Sequence, residues 1–372
     1  MSLQAVELRR IQIPLVAPFR TSFGVQVTRD VLLLRVITDE CEGRGECCAL
    51  SEPLYSAEYV DGCEHVIRHH LLPRLFEAPE LEAARVSEIL RPVKGHRMAK
   101  AAIEMAVLDA ELRARRESLA RHLGGVRETV ECGVSVGIQE SIHRLLEVVE
   151  GYLTEGYRRI KLKIEPGWDL EPVRAVREHF PAVMLQVDAN SAYTLADGRH
   201  LSRLDDFDLL LIEQPLPAEQ VRAHAELAAQ LATPICLDES IVSAAAAADA
   251  IALGACSIVN IKPSRVGGYL EARRIHDVCQ AHGVPVWCGG MLETGLGRAG
   301  NVALAALPGF TLPGDISASD RYYRRDITQP FVLEDGRLRV PAGPGLGVTV
   351  DDAVLRQVTR CVDLVNRPGG TR

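Results

Sequence analysis

Short apolar runs alternate with longer amphipathic stretches through the middle of the chain, and each run closes on a charged residue. Residues 159–163 read RIKLK, 183–188 VMLQVD, 209–213 LLLIE, 234–238 PICLD and 257–262 SIVNIK. Each is short and rich in Val, Ile and Leu, which predicts a buried strand. The stretches between them, such as 171–179 and 222–231, have helical composition. Strand, helix, strand at this interval is the repeating unit of a parallel sheet. The same reading places a first barrel strand at 131–137, a seventh at 283–289 and an eighth at 311–316. The expected fold class is α/β, a (β/α)7β TIM-type barrel spanning residues 126–320.

The flanks carry a different pattern. Residues 5–16, 29–38 and 43–48 predict antiparallel strands. Between the first two, 19–24 (FRTSFG) reads as a loop with two exposed aromatics, and 51–56 (SEPLYS) reads as a second loop. Residues 57–75 and 80–120 predict helices, with the clearest amphipathic repeat at 101–113. Beyond Asp320 the barrel pattern stops. Residues 331–340, turning at Asp335-Gly336, predict a hairpin. Residues 1–125 and 321–372 are therefore assigned to one α+β capping domain, split around the barrel.

Composition narrows the possible functions. A net charge of −8 argues against nucleic acid as a partner. No apolar run approaches the ~20 residues that span a bilayer. The first ten residues, MSLQAVELRR, lack a secretory apolar region. Ten cysteines are scattered without metal-ligand spacing, which reads as buried free thiols in a reducing, cytoplasmic compartment.

The charged strand ends carry the chemistry. Lys163, Asp188, Glu213, Asp238 and Lys262 are spaced 25, 25, 25 and 24 residues apart, so each closes one strand. Barrel active sites are built at that end. Asp188, Glu213 and Asp238 would stand on three neighbouring strands ~4.8 Å apart. Three carboxylates in that arc can close on one cation, and ligation by oxygen alone favours Mg²⁺ or Mn²⁺ over Zn²⁺. Lys163 and Lys262 fall on the second and sixth strands, opposite each other across an eight-stranded barrel. A carboxylate bound between them would have its α-proton acidified by the cation. A lysine becomes a base only if its proton affinity falls. Burial and the like charge of Lys161 push Lys163 that way, and Arg265 is the candidate to do the same for Lys262. One motif is set aside: Gly295–Gly300 matches G-x-G-x-x-G, but it follows the seventh βα unit, whereas the dinucleotide fingerprint belongs to a first turn. Glycines lining the mouth beside a substrate carboxylate is the better reading.

The series Lys161-x-Lys163, Asp188-Ala189-Asn190, Glu213-Gln214-Pro215, Asp238-Glu239-Ser240 and Lys262-Pro263 resembles the muconate-lactonising branch of the enolase superfamily. Thr21–Gly24, Gly45-Glu46-Cys47, Pro53–Ser56, Gly289–Ala299 and Gly314–Tyr322 are similar to the o-succinylbenzoate synthase / N-acylamino acid racemase family. The resemblance implies a metal on Asp188, Glu213 and Asp238, with Lys163 and Lys262 as acid/base residues. It implies loops 20–24 and 52–56 closing over the substrate. Lys161, Ser135, Asn190, Gly290, Met291, Ile316, Ser22, Phe23 and Tyr55 would be substrate neighbours, with Glu239 and Arg265 behind them. Ser264 and Ile316 depart from the Gly and Thr of that pattern. The reaction implied is the metal-dependent dehydration of SHCHC (2-succinyl-6-hydroxy-2,4-cyclohexadiene-1-carboxylate) to o-succinylbenzoate, through an enediolate, in menaquinone biosynthesis. Racemisation of an N-succinyl- or other N-acylamino acid is the alternative on the same site. The expected partner is a small-molecule carboxylate, with the chain in a homo-oligomer.

Overall fold

The computed structural model describes residues 1–369. The chain opens with three strands, β1 (Leu3–Thr21), β2 (Gly24–Thr38) and β3 (Glu42–Cys47). A short β4 (Thr129–Glu131) precedes seven barrel strands: β5 (Gly133–Val136), β6 (Arg159–Lys163), β7 (Met184–Asp188), β8 (Ile212–Glu213), β9 (Ile235–Leu237), β10 (Ile258–Ile261) and β11 (Val286–Cys288). The tail adds β12 (Arg337–Arg339) and β13 (Thr359–Asn366). The barrel strands pair in parallel and in chain order, with helices between them. Residues in β5, β6, β8, β9, β10 and β11 are buried throughout, as a sheet covered on both faces requires. The cap sheet is antiparallel in the order β13-β1-β2-β3, so the tail does return to the first strand.

Several local expectations are corrected. The 19–24 loop is mostly strand: β1 runs to Thr21, β2 begins at Gly24, and only Ser22 and Phe23 turn. The irregularity lies earlier, where the register shifts between Pro14 and Phe19. The 80–120 helix is three helices, Ala83–Ile89, Arg97–Arg115 and Leu119–Leu123. Pro92, which has no N–H, and the left-handed Gly95 and His96 separate the first two. The predicted first strand divides into β4, which pairs with β12, and β5. The eighth strand makes no ladder. Segment 310–316 closes the ring by isolated bridges, Val286 to Phe310 and Cys132 to Gly314. Pro313 lies at its centre and cannot donate to a ladder. The hairpin at 331–340 is reduced to a turn at Asp335 and Gly336 with one bridge, Glu334 to Arg337, because β12 takes β4 as its partner.

Close packing inside the cap presents the two groups that dock it on the barrel. At Gly43 and Gly45 an added Cβ would strike the backbone oxygens of Ala106 and Ala102, so β3 lies directly on the Arg97–Arg115 helix. From these elements two buried carboxylates reach barrel helices. Glu104 accepts the backbone N–H groups of Tyr269 and Leu270, at 3.0 and 2.9 Å, at the start of the Tyr269–Ala281 helix. Glu46 accepts from the N–H of Thr294 and of Gly297, at 3.0 and 2.9 Å, at the start of the Gly295–Ala305 helix. Free N–H groups and the helix dipole make both termini natural anion seats. The glycine-rich motif is thus the first turn of a helix held by a carboxylate of the cap.

Candidate active site

The barrel mouth and the cap together line a cavity of about 60 Å³. Ser135, Lys161, Lys163, Asn190 and Lys262 line its barrel side, with Gly290 and Met291 from the loop after β11. Phe23 and Tyr55 line it from the cap. Phe19, Thr21, Gln26, Leu50, Leu292, Asp315 and Tyr322, none of them an expected site residue, complete the wall. The backbone is bent where strands end here. Asn190, Ser191, Gln214 and Leu292 all take left-handed φ values between 38° and 65°. Non-glycine residues adopt that region at a cost, and such residues gather at functional sites.

The strand register sets the row of charges. Lys161 sits beside Ser135, Lys163 beside Asp188, and Asp188 beside Glu213. Lys163 Nζ donates to Asp188 Oδ2 and to Asn190 Oδ1, both at 2.5 Å. Lys161 Nζ lies 3.1 Å from Asp188, 2.9 Å from Glu213 and 2.5 Å from Asp315. Lys262 Nζ donates to Asp238 Oδ2 at 2.6 Å, and Arg265 pairs with Asp238 Oδ1. Asn190 donates to Glu239 Oε1 at 2.9 Å, while Glu239 Oε2 is buried without a partner. Ser135 Oγ is likewise buried and unpartnered.

Two expected neighbours stand back from the cavity. Ser22 Oγ donates instead to the Ala189 carbonyl at 3.1 Å, tying the cap turn to the end of β7. Ile316 is buried and packs beneath Gly314.

Burial and charge divide the lysines. Burial pulls the Lys163 ammonium below its ordinary pKa, and Lys161 adds to this against the opposing pull of Asp188. Burial acts on Lys161 too, but Asp315, Glu213 and Asp188 outweigh it and hold the ammonium charged. Lys262 departs from the expectation. Burial opposes its charge, yet Tyr55, Glu239, Glu213 and Asp188 raise its pKa. Arg265, itself paired with Asp238, is not among the largest influences on it. Asp188 is held well below the usual carboxylate range: burial would raise it, but Lys163 and Lys161 prevail. Burial drives Glu239 up to about 7.

Asp188, Glu213 and Asp238 do not form a ready-made cage. Among the described residues no three His, Cys, Asp or Glu side chains stand close enough to hold a metal. Their oxygens are engaged by Lys161, Lys163, Lys262 and Arg265. Their chemistry nevertheless fits a hard divalent cation. All three are buried carboxylates at the ends of neighbouring strands, and their ammonium partners sit on flexible stems that can withdraw.

Two family models match the chain. The enolase C-terminal domain-like model covers residues 144–354, and the mandelate racemase / muconate lactonizing enzyme N-terminal domain model covers 5–124. An N-succinylamino acid racemase from an Amycolatopsis species is 68% identical, over 96% of this chain and 98% of its own. The o-succinylbenzoate synthase of Geobacillus kaustophilus is 48% identical, over 99% and 98%. A solved enolase-superfamily structure from Listeria innocua matches with a TM-score of 0.95 at 41% identity, covering 99% of this chain and all of that one.

Proposed function

This chain belongs to the enolase superfamily, and we propose that its barrel mouth enolises a small carboxylate as an o-succinylbenzoate synthase, dehydrating SHCHC. Members of the superfamily use a divalent metal. Here Asp188, Glu213 and Asp238 would hold it, as Mg²⁺ with Mn²⁺ able to substitute. Such an ion supplies Lewis-acid charge to the substrate carboxylate and so acidifies the adjacent C–H. Lys163 then takes the α-proton, and the electron pair of that bond passes into the enediolate. The enediolate collapses and the C–O bond breaks. Lys163 returns its proton to the departing hydroxyl on the same face, releasing water. Lys262 keeps a positive charge against the opposite face throughout. The cap excludes bulk water, which strengthens each of these interactions.

One observation carries this reading. Lys163 and Lys262 line a single cavity from strands with three others between them, one with lowered and one with raised proton affinity. That is the asymmetry a base and an electrostatic partner require. The expected setting is a cytoplasmic homo-oligomer, and no helix among the described residues is long and apolar enough to cross a membrane.

The relative at 68% identity favours a second activity on the same site, N-succinylamino acid racemisation. There each lysine serves one enantiomer, removing or returning the α-proton from its own face. The test joins both readings. Purified protein is assayed for SHCHC dehydration, and α-deuterium exchange is followed on each enantiomer of an N-succinylamino acid. Lys163→Ala is expected to abolish dehydration, and to stop exchange from one enantiomer. Lys262→Ala is expected to stop exchange from the other. Arginine at either position fails as well, since it cannot give up its proton. Wild-type exchange of both enantiomers in both alanine variants would refute the two-lysine mechanism.

A further inference from the structure

Asp315 stands at the cavity wall without a part in the chemistry above. It is 7% exposed and its two oxygens are divided. Oδ2 lies 2.5 Å from Lys161 Nζ, and Oδ1 accepts from Arg159 Nη1 at 2.7 Å. Arg159 is fully buried. Its second nitrogen donates to the Pro313 carbonyl at 2.8 Å, and its guanidinium lies 5.1 Å from the centre of the Trp287 ring. Lys161 Nζ lies 4.8 Å from the same ring. The room for that guanidinium exists because residue 133 is glycine, where a Cβ would strike it. The Asp315 backbone N–H is fixed to the Cys288 carbonyl at 2.9 Å. The carboxylate is therefore held from behind and presents one oxygen to Lys161.

Lys161 has three carboxylates in reach, and two of them, Asp188 and Glu213, are proposed metal ligands. An ammonium with only those two partners would compete with a divalent cation for the same oxygens. Asp315 lies outside the ligand row, on the segment that closes the ring. We propose that Asp315, backed by Arg159, is a positioning residue: it holds Lys161 at the mouth while Asp188 and Glu213 are committed to a cation. This rests on the proposed function for the identity of the ligands. Lys161 then keeps a fixed positive charge beside the substrate carboxylate, instead of being expelled or displacing the metal. An ion pair that served only to neutralise Arg159 would not depend on Lys161.

That difference is measurable. Mg²⁺ binding to metal-free protein is followed by calorimetry, with KM and kcat for SHCHC alongside. Asp315→Asn is expected to weaken Mg²⁺ on the order of 10- to 100-fold, the usual cost of losing a partner that orients a ligand set. KM rises over the same range while kcat falls less. Asp315→Glu keeps the charge and is expected to restore most of the metal affinity. In a Lys161→Ala background, Asp315→Asn is expected to change Mg²⁺ affinity by no more than about twofold, because the group it positions is gone. If Asp315→Asn does not fold, Asp315→Glu decides: near-wild-type Mg²⁺ affinity that no longer depends on residue 315 once Lys161 is alanine supports the proposal, and a Mg²⁺ loss that persists without Lys161 overturns it. A full Asp315→Asn loss in the Lys161→Ala background, or no rescue by glutamate, overturns the proposal. Metal affinity needs no turnover, so a failure of the assigned reaction would show separately, as intact Mg²⁺ coupling without dehydration.

Discussion

Tyr55 shows how much one hydroxyl can carry at this site. Its Oη donates to Asp238 Oδ1 at 3.1 Å and accepts from Lys262 Nζ at 3.2 Å, while Nζ lies 4.6 Å from its ring centre. Tyr55→Phe keeps the ring and removes one acceptor from a buried ammonium. Hydrogen bonds to charged groups contribute about 1.5–3 kcal/mol, so exchange through Lys262 should slow roughly tenfold or more. Exchange through Lys163, bonded to Asp188 and Asn190, should change less than about twofold. Equal slowing of both enantiomers would count against a local role. The depressed Lys163 has its own signature. In the proposed mechanism its neutral form is the base, so dehydration should rise with pH along a limb centred below 10.5, the ordinary lysine value. At this scale the sequence was most legible where charge interrupts apolar runs: all five strand-end residues stand out that way. Leu50, Leu292 and Tyr322 carry no such mark, because only the closing of cap on barrel makes them wall. Asp315 did have a signal, a carboxylate near the end of the expected eighth strand, but the evenly spaced row of charged strand ends stops at Lys262.

Elements were legible where periodicity was strict and lost where partners were distant. The barrel strands follow from short apolar runs, whereas the pairing of β4 with β12 joins residues some 200 positions apart. The carboxylate seats between cap and barrel are of the same long-range kind. Burial drives both Glu46 and Glu104 from 4.5 up to about 7. Between those values the folded chain holds protons that the unfolded chain has released. Stability from these groups is therefore complete below pH 4.5 and is lost as pH rises through about 7. For Glu104 this is on the order of 3 kcal/mol, at about 1.4 kcal/mol per pKa unit. Glu104→Gln should flatten the fall in stability between pH 5 and 7.5, read from urea midpoints at each pH. Its baseline should be lower, since the amide keeps one acceptor for two N–H groups. A slope unchanged from wild type would mean that Glu104 is ionised throughout. Gly45→Ala probes the packing inside the cap, between β3 and the helix that carries Glu104. Its Cβ would meet a helix backbone oxygen that cannot step aside, and overpacking of this kind costs about 1–3 kcal/mol or more.

For the molecule as a whole, the proposed site is one that neither the barrel nor the cap completes alone. The barrel supplies the charged floor, and the cap supplies rings and a rim. The Ser22–Phe23 turn is tied to the end of β7 through Ser22 and the Ala189 carbonyl, and the Phe23 ring stands 6.4 Å from that of Tyr55. Phe23 touches the cavity but none of Asp188, Glu213 or Asp238 is bonded to it. Its removal therefore separates enclosure from ligation. Phe23→Ala takes apolar surface from the cavity wall and opens the rim to water. Burying a side chain of this size is worth about 1.5–3 kcal/mol, and Phe23 is only half-buried, so KM should rise on the order of tenfold. Mg²⁺ affinity, measured on substrate-free protein, should stay within about twofold of wild type. Loss of water exclusion should also lower kcat, because charges in a wetter site interact less strongly. If KM and kcat stay at their wild-type values, the turn is not part of the enclosure. If Mg²⁺ affinity falls together with KM, cap and metal row form one cooperative unit, and the division of labour between rim and floor does not hold.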